Sequence, residues 1–124
     1  MTRDIKIPGP DHPITVEPSP DRVIVRSGGA TVADSTATLV LQEANYPPVR
    51  YIPLDDVDET LLAPSDTSTY CPYKGDASYR SITTELDRGR DAVWFYDDPY
   101  AAVEAIRDHV AFYANRVEIT IEAA

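Results

Sequence analysis

The sequence predicts a mainly β fold: a small antiparallel β domain with one helix in its C-terminal half and a strand that closes the chain. Apolar segments of strand length recur along the sequence and are separated by Gly, Pro or Asp. Only one segment has the three- and four-residue spacing of a helix. Strands and helices do not alternate as a parallel sheet requires, and no internal repeat is present. The length of 124 residues fits a single domain over residues 1–124.

The N-terminal segment, residues 1–20, is predicted to be a Pro-rich extended arm, and residues 21–124 the β core. Five of the eleven prolines fall within this arm. Because proline fixes φ and lacks an N–H group, such a stretch favours extended backbone. Residues 14–16 are apolar enough to lie along a sheet, so we expect the arm to dock rather than to extend freely into solvent.

The first strands of the core are indicated by a hairpin pattern. Residues 23–26 and 30–34 flank Gly28 and Gly29, which suit a tight turn between two strands. Residues 54–58 follow the fourth strand as a turn or a single helical turn capped by Asp56. Residues 65–75 show no steady period. Further strands are predicted at residues 36–43, 49–53, 77–86, 91–96 and 117–122.

One helix is predicted at about residues 99–114. Asp98 is a suitable N-cap, and Pro99 suits the first helical position. Three apolar side chains recur at helical spacing and would form a stripe that faces the core. These residues are Val103, Ile106 and Val110.

The charge balance excludes several partners. The chain has 21 Asp and Glu against 11 Lys and Arg, a formal net charge of −10. Nucleic-acid backbones and anionic membrane surfaces need clustered cations, so neither is expected as a partner. No signal-peptide core and no apolar stretch of about 18 residues is present, and we expect a cytoplasmic protein.

We expect neither a metal ion nor a cofactor. Cys71 is the only cysteine, so the chain cannot form an internal disulfide or a thiolate cluster for zinc. The acidic residues 55–58 and 97–98 could supply oxygen ligands for Mg²⁺, but they are typical of solvated turns. No Gly-rich loop opens a helix, so no phosphate cradle is predicted.

Two reactive side chains, Cys71 and Lys74, lie three residues apart and are the candidate catalytic residues. An ammonium group beside a thiol favours the thiolate. Lys74 could also act as a general acid, as a Schiff-base amine or as an anchor for an anionic group. The structural alternative is that Cys71 is a small buried residue and Lys74 pairs with a neighbouring carboxylate.

Tyrosine is in excess among the aromatic residues: eight Tyr accompany one Trp and two Phe. Flat walls with hydroxyl groups are common in small-ligand pockets. The β propensity of tyrosine explains the same excess without a pocket. Four aromatic residues lie on three predicted strands that could face a single pocket, namely Tyr51, Tyr79, Trp94 and Tyr96.

Several motifs together resemble a bacterial family, the domain of unknown function 427, which is also labelled NTP-transferase-like. The resemblance covers nearly the whole chain. It rests on Cys71-Pro72-Tyr73-Lys74-Gly75 with Ala77 and Tyr79, on residues 50–57, on Ala92, Trp94, Tyr96 and Pro99, on residues 109–113, and on residues 12–14 and 32–35.

The resemblance implies a small β fold similar to the Mss4-like or β-tent topology. Proteins of that topology often bind a ligand or a peptide on the concave face of the sheet. The paired cysteines that hold zinc in several relatives are missing here. Carried over by position, the resemblance puts forward as pocket residues Arg50, Tyr51, Cys71, Lys74, Tyr79, Trp94 and Tyr96.

Three classes of function remain open. The favoured one is a binding domain in which Arg50 and Lys74 meet a polar or anionic group of a small molecule or peptide between aromatic walls. The second is an enzyme that uses Lys74 or Cys71 covalently or as an acid or base. The third is an interaction module, such as a homodimer, that pairs exposed strand edges. Nucleotidyl transfer has no support, because the Gly-Ser and paired-Asp pattern and the βα rhythm of that fold are missing.

Overall fold

A computed structural model describes residues 4–124, so the first three residues of the predicted arm lie outside the described part. Within that part the chain forms ten strands and four short helical turns. The strands are β1 (Ile14–Ser19), β2 (Arg22–Ser27), β3 (Ala30–Ser35), β4 (Thr38–Glu43), β5 (Val49–Pro53), β6 (Leu62–Cys71), β7 (Gly75–Ile82), β8 (Val93–Phe95), β9 (His109–Phe112) and β10 (Glu118–Glu122). The turns are three 3₁₀ segments, Leu54–Asp56, Glu59–Leu61 and Ala101–Ile106, and the single α-helical turn α1 (Leu86–Gly89).

The strands form two antiparallel sheets, which confirms the predicted mainly β fold. A seven-stranded sheet has the order β1-β4-β5-β9-β8-β7-β6, and a three-stranded sheet has the order β10-β2-β3. Their facing sides bury one apolar core, in which Val25 and Val32 of the small sheet pack with Ile52, Val93 and Val110 of the large one. The predicted hairpin and the closing strand are both present as β2–β3 and β10.

The large sheet is weakly joined at its centre. Only two residue pairs connect β5 to β9, Ile52 with Val110 and Pro53 with His109, whereas β1 and β4 share six pairs. In the part of the chain described, residues 49–51 pair with β4 alone, and Phe112 pairs with β8 alone. The facing edges of β5 and β9 therefore separate beyond the junction and leave a gap in the sheet.

The Pro-rich arm docks as expected, and the sheet on which it docks is that of its own chain, a point that the sequence left open. Ile14 pairs with Glu43 and Ser19 with Thr38, so residues 14–19 are the edge strand β1 rather than part of a free arm. The sheet therefore begins within the stretch assigned to the arm, ahead of residue 21. Pro18 fits here because an edge strand has one side on which no ladder hydrogen bond is needed.

The predicted helix at 99–114 is wrong in both type and length. Residues 101–106 form 3₁₀ turns interrupted at Val103 (φ −126°, ψ 27°), and no side chain caps them. Asp108 then adopts φ 62°, and the chain continues as β9. Asp98, the predicted N-cap, accepts a hydrogen bond from Arg107 at 3.0 Å instead. The apolar stripe led to a wrong helix prediction because β9 is buried on both faces. The residues around Val110 therefore do not alternate between apolar and polar as those of a half-buried strand do.

Strand β6 is absent from the sequence prediction, since its central residues, 66–69, are all polar and exposed. Its register shifts between Pro64 and Ser68, which breaks the period of two. Asp56 does not cap the turn at residues 54–56 as predicted; its carboxylate accepts a hydrogen bond from Ser35 at 2.6 Å. None of the helices found between residues 4 and 124 has the length and apolar character needed to cross a bilayer.

Candidate functional site

A cavity of about 770 Å³ lies where β5 and β9 separate. Valine and isoleucine side chains of β2 and β10 form one wall, and aromatic side chains of β5, β8 and the end of β9 form the other. Three charged residues reach the cavity from different elements. Its main lining residues are Val23, Val25, Glu43, Arg50, Tyr51, Lys74, Trp94, Tyr96, Tyr113, Ala114, Ile119 and Ile121.

Aromatic rings line one side of the cavity because alternate residues of a strand face the same way. The Trp94 ring lies 4.4 Å from the Tyr113 ring between centroids, at 42°, and 6.4 Å from the Tyr51 ring, edge-on at 84°. The Trp94 Nε1–H group donates to the Tyr51 hydroxyl at 3.3 Å. We call these three residues and Tyr96 the aromatic wall.

The hydroxyls of the aromatic wall stay protonated at neutral pH. Burial raises the pKa of Tyr51 and of Tyr96 well above the usual value. Burial and a hydrogen bond with Tyr79 raise the pKa of Tyr113 to about 12. Tyr96 is only 7% exposed. The wall therefore presents neutral hydroxyl groups at the cavity.

Lys74 and Glu43 form an ion pair at the polar end of the cavity. Lys74 lies in the short loop between β6 and β7, where its backbone N–H donates to the Cys71 carbonyl at 3.2 Å. The next residue, Gly75, has φ 112°, which other residues rarely adopt. The Lys74 ammonium donates to Glu43 Oε1, and the two side chains are 12% and 14% exposed.

His12 completes a chain of polar contacts behind this ion pair. Its Nε2–H group donates to Glu43 Oε2 at 2.7 Å, and its ring stacks on Tyr73 with centroids 4.2 Å apart. Burial opposes the charged form of Glu43, but hydrogen bonds from Lys74 and His12 outweigh burial and lower its pKa. Glu43 is therefore a carboxylate that balances the charge of Lys74.

The contact between the two candidate catalytic residues is present. Cys71 Sγ lies 3.8 Å from Lys74 Nζ, as their spacing allowed. The thiol is half-buried against the same apolar cluster as Tyr51 and Trp94 and is not part of the cavity wall. A catalytic role for either residue stays a prediction.

Two predicted pocket residues stand apart from the ion pair. Arg50 lines the cavity, but strand alternation puts its side chain on the opposite face of β5 from Tyr51. Its guanidinium donates to Ser19 Oγ at 3.2 Å, and to Thr38 and Asp21 at 3.5 Å. Tyr79 does not line the cavity; its hydroxyl lies 3.0 Å from Thr69 Oγ1.

A family model described as domain of unknown function (DUF427) matches residues 15–123. The chain belongs to this family. The match confirms the assignment made from the motifs, and it includes every cavity residue, although His12 lies outside it. A search of the curated proteins returned no match.

Three residues of this DUF427 site were missed in the sequence. The sequence around Glu43 does not indicate that it pairs with Lys74, because this contact depends on how the β6–β7 loop lies over β4. His12 belongs to the motif at residues 12–14, which was the available signal. Tyr113 was assigned to a helix. Within residues 4–124, no group of three His, Cys, Asp or Glu side chains could hold a metal ion.

Proposed function

We propose that this protein binds a small molecule, or one residue of a peptide, in the cavity between its two sheets. The supporting observation is that Lys74, Glu43 and the aromatic wall come together on a cavity of about 770 Å³ from separate strands and the β6–β7 loop. Ligand sites typically occupy about 300–1,000 Å³ and combine mostly apolar walls with a few polar groups. The described cavity has both properties.

The walls indicate the shape of the ligand. A flat, aromatic or apolar body would lie against Trp94 and Tyr113 and face the aliphatic side chains of β2 and β10. Its polar group would reach Lys74 and Glu43. Burial of the flat body supplies most of the affinity, and the polar contacts fix its orientation.

Trp94 makes this proposal directly testable. It is the only tryptophan in the chain and lines the cavity, so its fluorescence reports on the occupant. Native and denaturing mass spectrometry of freshly purified protein should show a mass surplus that is lost on denaturation. A thermal-shift screen of small aromatic compounds should give stabilising compounds that change Trp94 emission, because ligands that bind only the folded state stabilise it.

A rim substitution separates cavity binding from surface binding. Ala114→Phe adds a ring at an exposed position of the lining and should weaken binding of the screened compounds by at least about tenfold. Ala102→Phe, at an exposed position that does not line the cavity, should leave binding unchanged. Compounds that bind equally well to both variants, or no stabilising compound at all, would contradict the proposal.

A second candidate function is an enzyme that works through Lys74 or Cys71, which the 3.8 Å contact between Sγ and Nζ favours. It predicts a mass surplus that survives denaturation and maps to one of these two residues. It also predicts abnormally fast labelling by thiol or amine reagents at neutral pH. Labelling at the rates of ordinary exposed thiols and amines would rule it out.

A further inference from the structure

We propose that the occupant of the cavity is uncharged and presents an amide group to the Lys74–Glu43 pair, with its carbonyl facing Lys74 and its N–H facing Glu43. This inference rests on the proposed function and specifies the chemical class of the ligand.

The first step is the charge at this end of the cavity. Lys74 and Glu43 both line it, and each carries one full charge of opposite sign. Glu43 is held on two sides, since Lys74 contacts Oε1 and His12 contacts Oε2. The carboxylate therefore cannot turn away from Lys74 without losing both contacts. The pair presents no net charge to an incoming ligand.

The second step is the cost of a charged ligand. An anion bound to Lys74 would lie beside the Glu43 carboxylate, and a cation bound to Glu43 would lie beside the Lys74 ammonium. Both side chains are at least 86% buried, so water screens such repulsion poorly. The net charge of −10 disfavours anions further. A neutral ligand avoids both penalties.

The third step is the hydrogen-bonding capacity left in the pair. An ammonium group has three donors, and a carboxylate has about four acceptor positions. The contacts within residues 4–124 use one donor of Lys74 on Glu43 and a second on Cys71 Sγ at 3.8 Å, which leaves one donor on the ammonium and further acceptor positions on the carboxylate. A donor and an acceptor therefore lie side by side, which is the complement of an amide.

The hydroxyl of Tyr96 supports the same assignment. Tyr96 lines the cavity and is only 7% exposed. Its hydroxyl can donate a hydrogen bond to a ligand oxygen. An amide carbonyl accepts two hydrogen bonds, so it can serve Lys74 and one further donor.

Arg50 is the third charged residue of the lining and does not alter this balance. Its side chain leaves β5 on the opposite face, and its guanidinium is directed towards Ser19, Thr38 and Asp21. Within the described lining, the charge that meets a ligand at the aromatic wall is therefore that of the Lys74–Glu43 pair.

The test uses three probes that share one ring and differ in charge: benzamide, benzoate and benzylammonium. Binding is measured from the shift of the Trp94 indole N–H signal in ¹H–¹⁵N spectra. Benzamide should bind the unmodified protein about tenfold more tightly than either charged probe. Lys74→Met should weaken benzamide by about fivefold or more. Glu43→Gln leaves the Lys74 charge unbalanced, so it should reverse the preference in favour of benzoate.

Matched variants are Lys6→Met and Glu17→Gln, which remove the same charges at exposed positions. Both should keep the unmodified order of affinities. If benzoate binds the unmodified protein as tightly as benzamide, the inference is overturned while the proposed function stands. If none of the three probes moves the Trp94 signal although a compound from the screen does, the inference alone fails. If no compound of any kind moves it, the proposed function fails as well.

Discussion

The Lys74–Glu43 ion pair allows a quantitative stability prediction. Removing one partner of a fully buried pair costs about 3–5 kcal/mol, because the other charge is left without compensation. The two side chains keep 12% and 14% exposure, and His12 still contacts Glu43 when Lys74 is lost. We therefore expect Lys74→Met to cost about 3 kcal/mol and Glu43→Gln about 2 kcal/mol of unfolding free energy.

The double variant provides the decisive comparison. Lys74→Met with Glu43→Gln leaves no unpaired buried charge, so we expect a total loss of only about 2 kcal/mol and a coupling energy of about 2–3 kcal/mol. The unfolding free energies of the two single variants and of the double variant are measured by urea denaturation, followed by Trp94 fluorescence and by circular dichroism. For a chain of this size, the Lys74→Met loss corresponds to a Tm lower by about 12 °C.

The control is the only other lysine of the chain, Lys6, which is exposed. Lys6→Met should change the unfolding free energy by less than about 0.5 kcal/mol. If the losses of the two single variants simply add in the double variant, the ion pair contributes no coupling. The two side chains would then not act as a locally neutral pair.

Three further predictions concern pH, backbone and reactivity. Because folding lowers the pKa of Glu43, the ionised carboxylate stabilises the fold above its usual pKa of 4.5, and this contribution is lost as pH falls through its pKa in the folded protein. The difference in unfolding free energy between the unmodified protein and Glu43→Gln, measured by urea denaturation, should therefore be largest at pH 7 and shrink in acid. Gly75→Ala should cost about 1–3 kcal/mol, since Gly75 has φ 112° and an added Cβ would lie 3.3 Å from the Asp98 carbonyl; an unchanged Tm would contradict this. If Lys74 assists the sulfur that lies 3.8 Å from its ammonium, alkylation of Cys71 by iodoacetamide at neutral pH, followed by mass spectrometry, should slow several-fold in Lys74→Met; an equal or faster rate would show that Lys74 does not act on the thiol.

Local sequence signals explain which strands could be predicted. Strands β2, β3 and β10 alternate or flank a Gly-Gly turn, so their pattern is contained within a few residues. Strand β9 has no such mark, because Val110, Ala111 and Phe112 are all buried. Its spacing from Val103 and Ile106 imitates a helix, and only the positive φ of Asp108 turns the chain into a strand.

The site was predictable as far as it follows from strand alternation. Tyr51, Trp94 and Tyr96 could be assigned to one pocket because Tyr51 and Trp94 lie on strands and Tyr96 directly follows β8. The partner of Lys74 could not be chosen from the sequence, because Glu43 is 31 residues away and the choice among 21 acidic residues depends on strand order. The two-pair junction between β5 and β9, which opens the cavity, depends on strand order in the same way.

The pairing of β10 with β2 sets the time at which the site can exist during synthesis. Val25 pairs with Ile119, so most of the chain must be made before this wall of the cavity is complete. A nascent chain that has released only the residues up to Tyr113 from the ribosome has the aromatic wall but not Ile119 and Ile121 opposite it. Such long-range pairing is slow to form. A ligand that needs both walls of the cavity would therefore bind the finished fold and not the early strands.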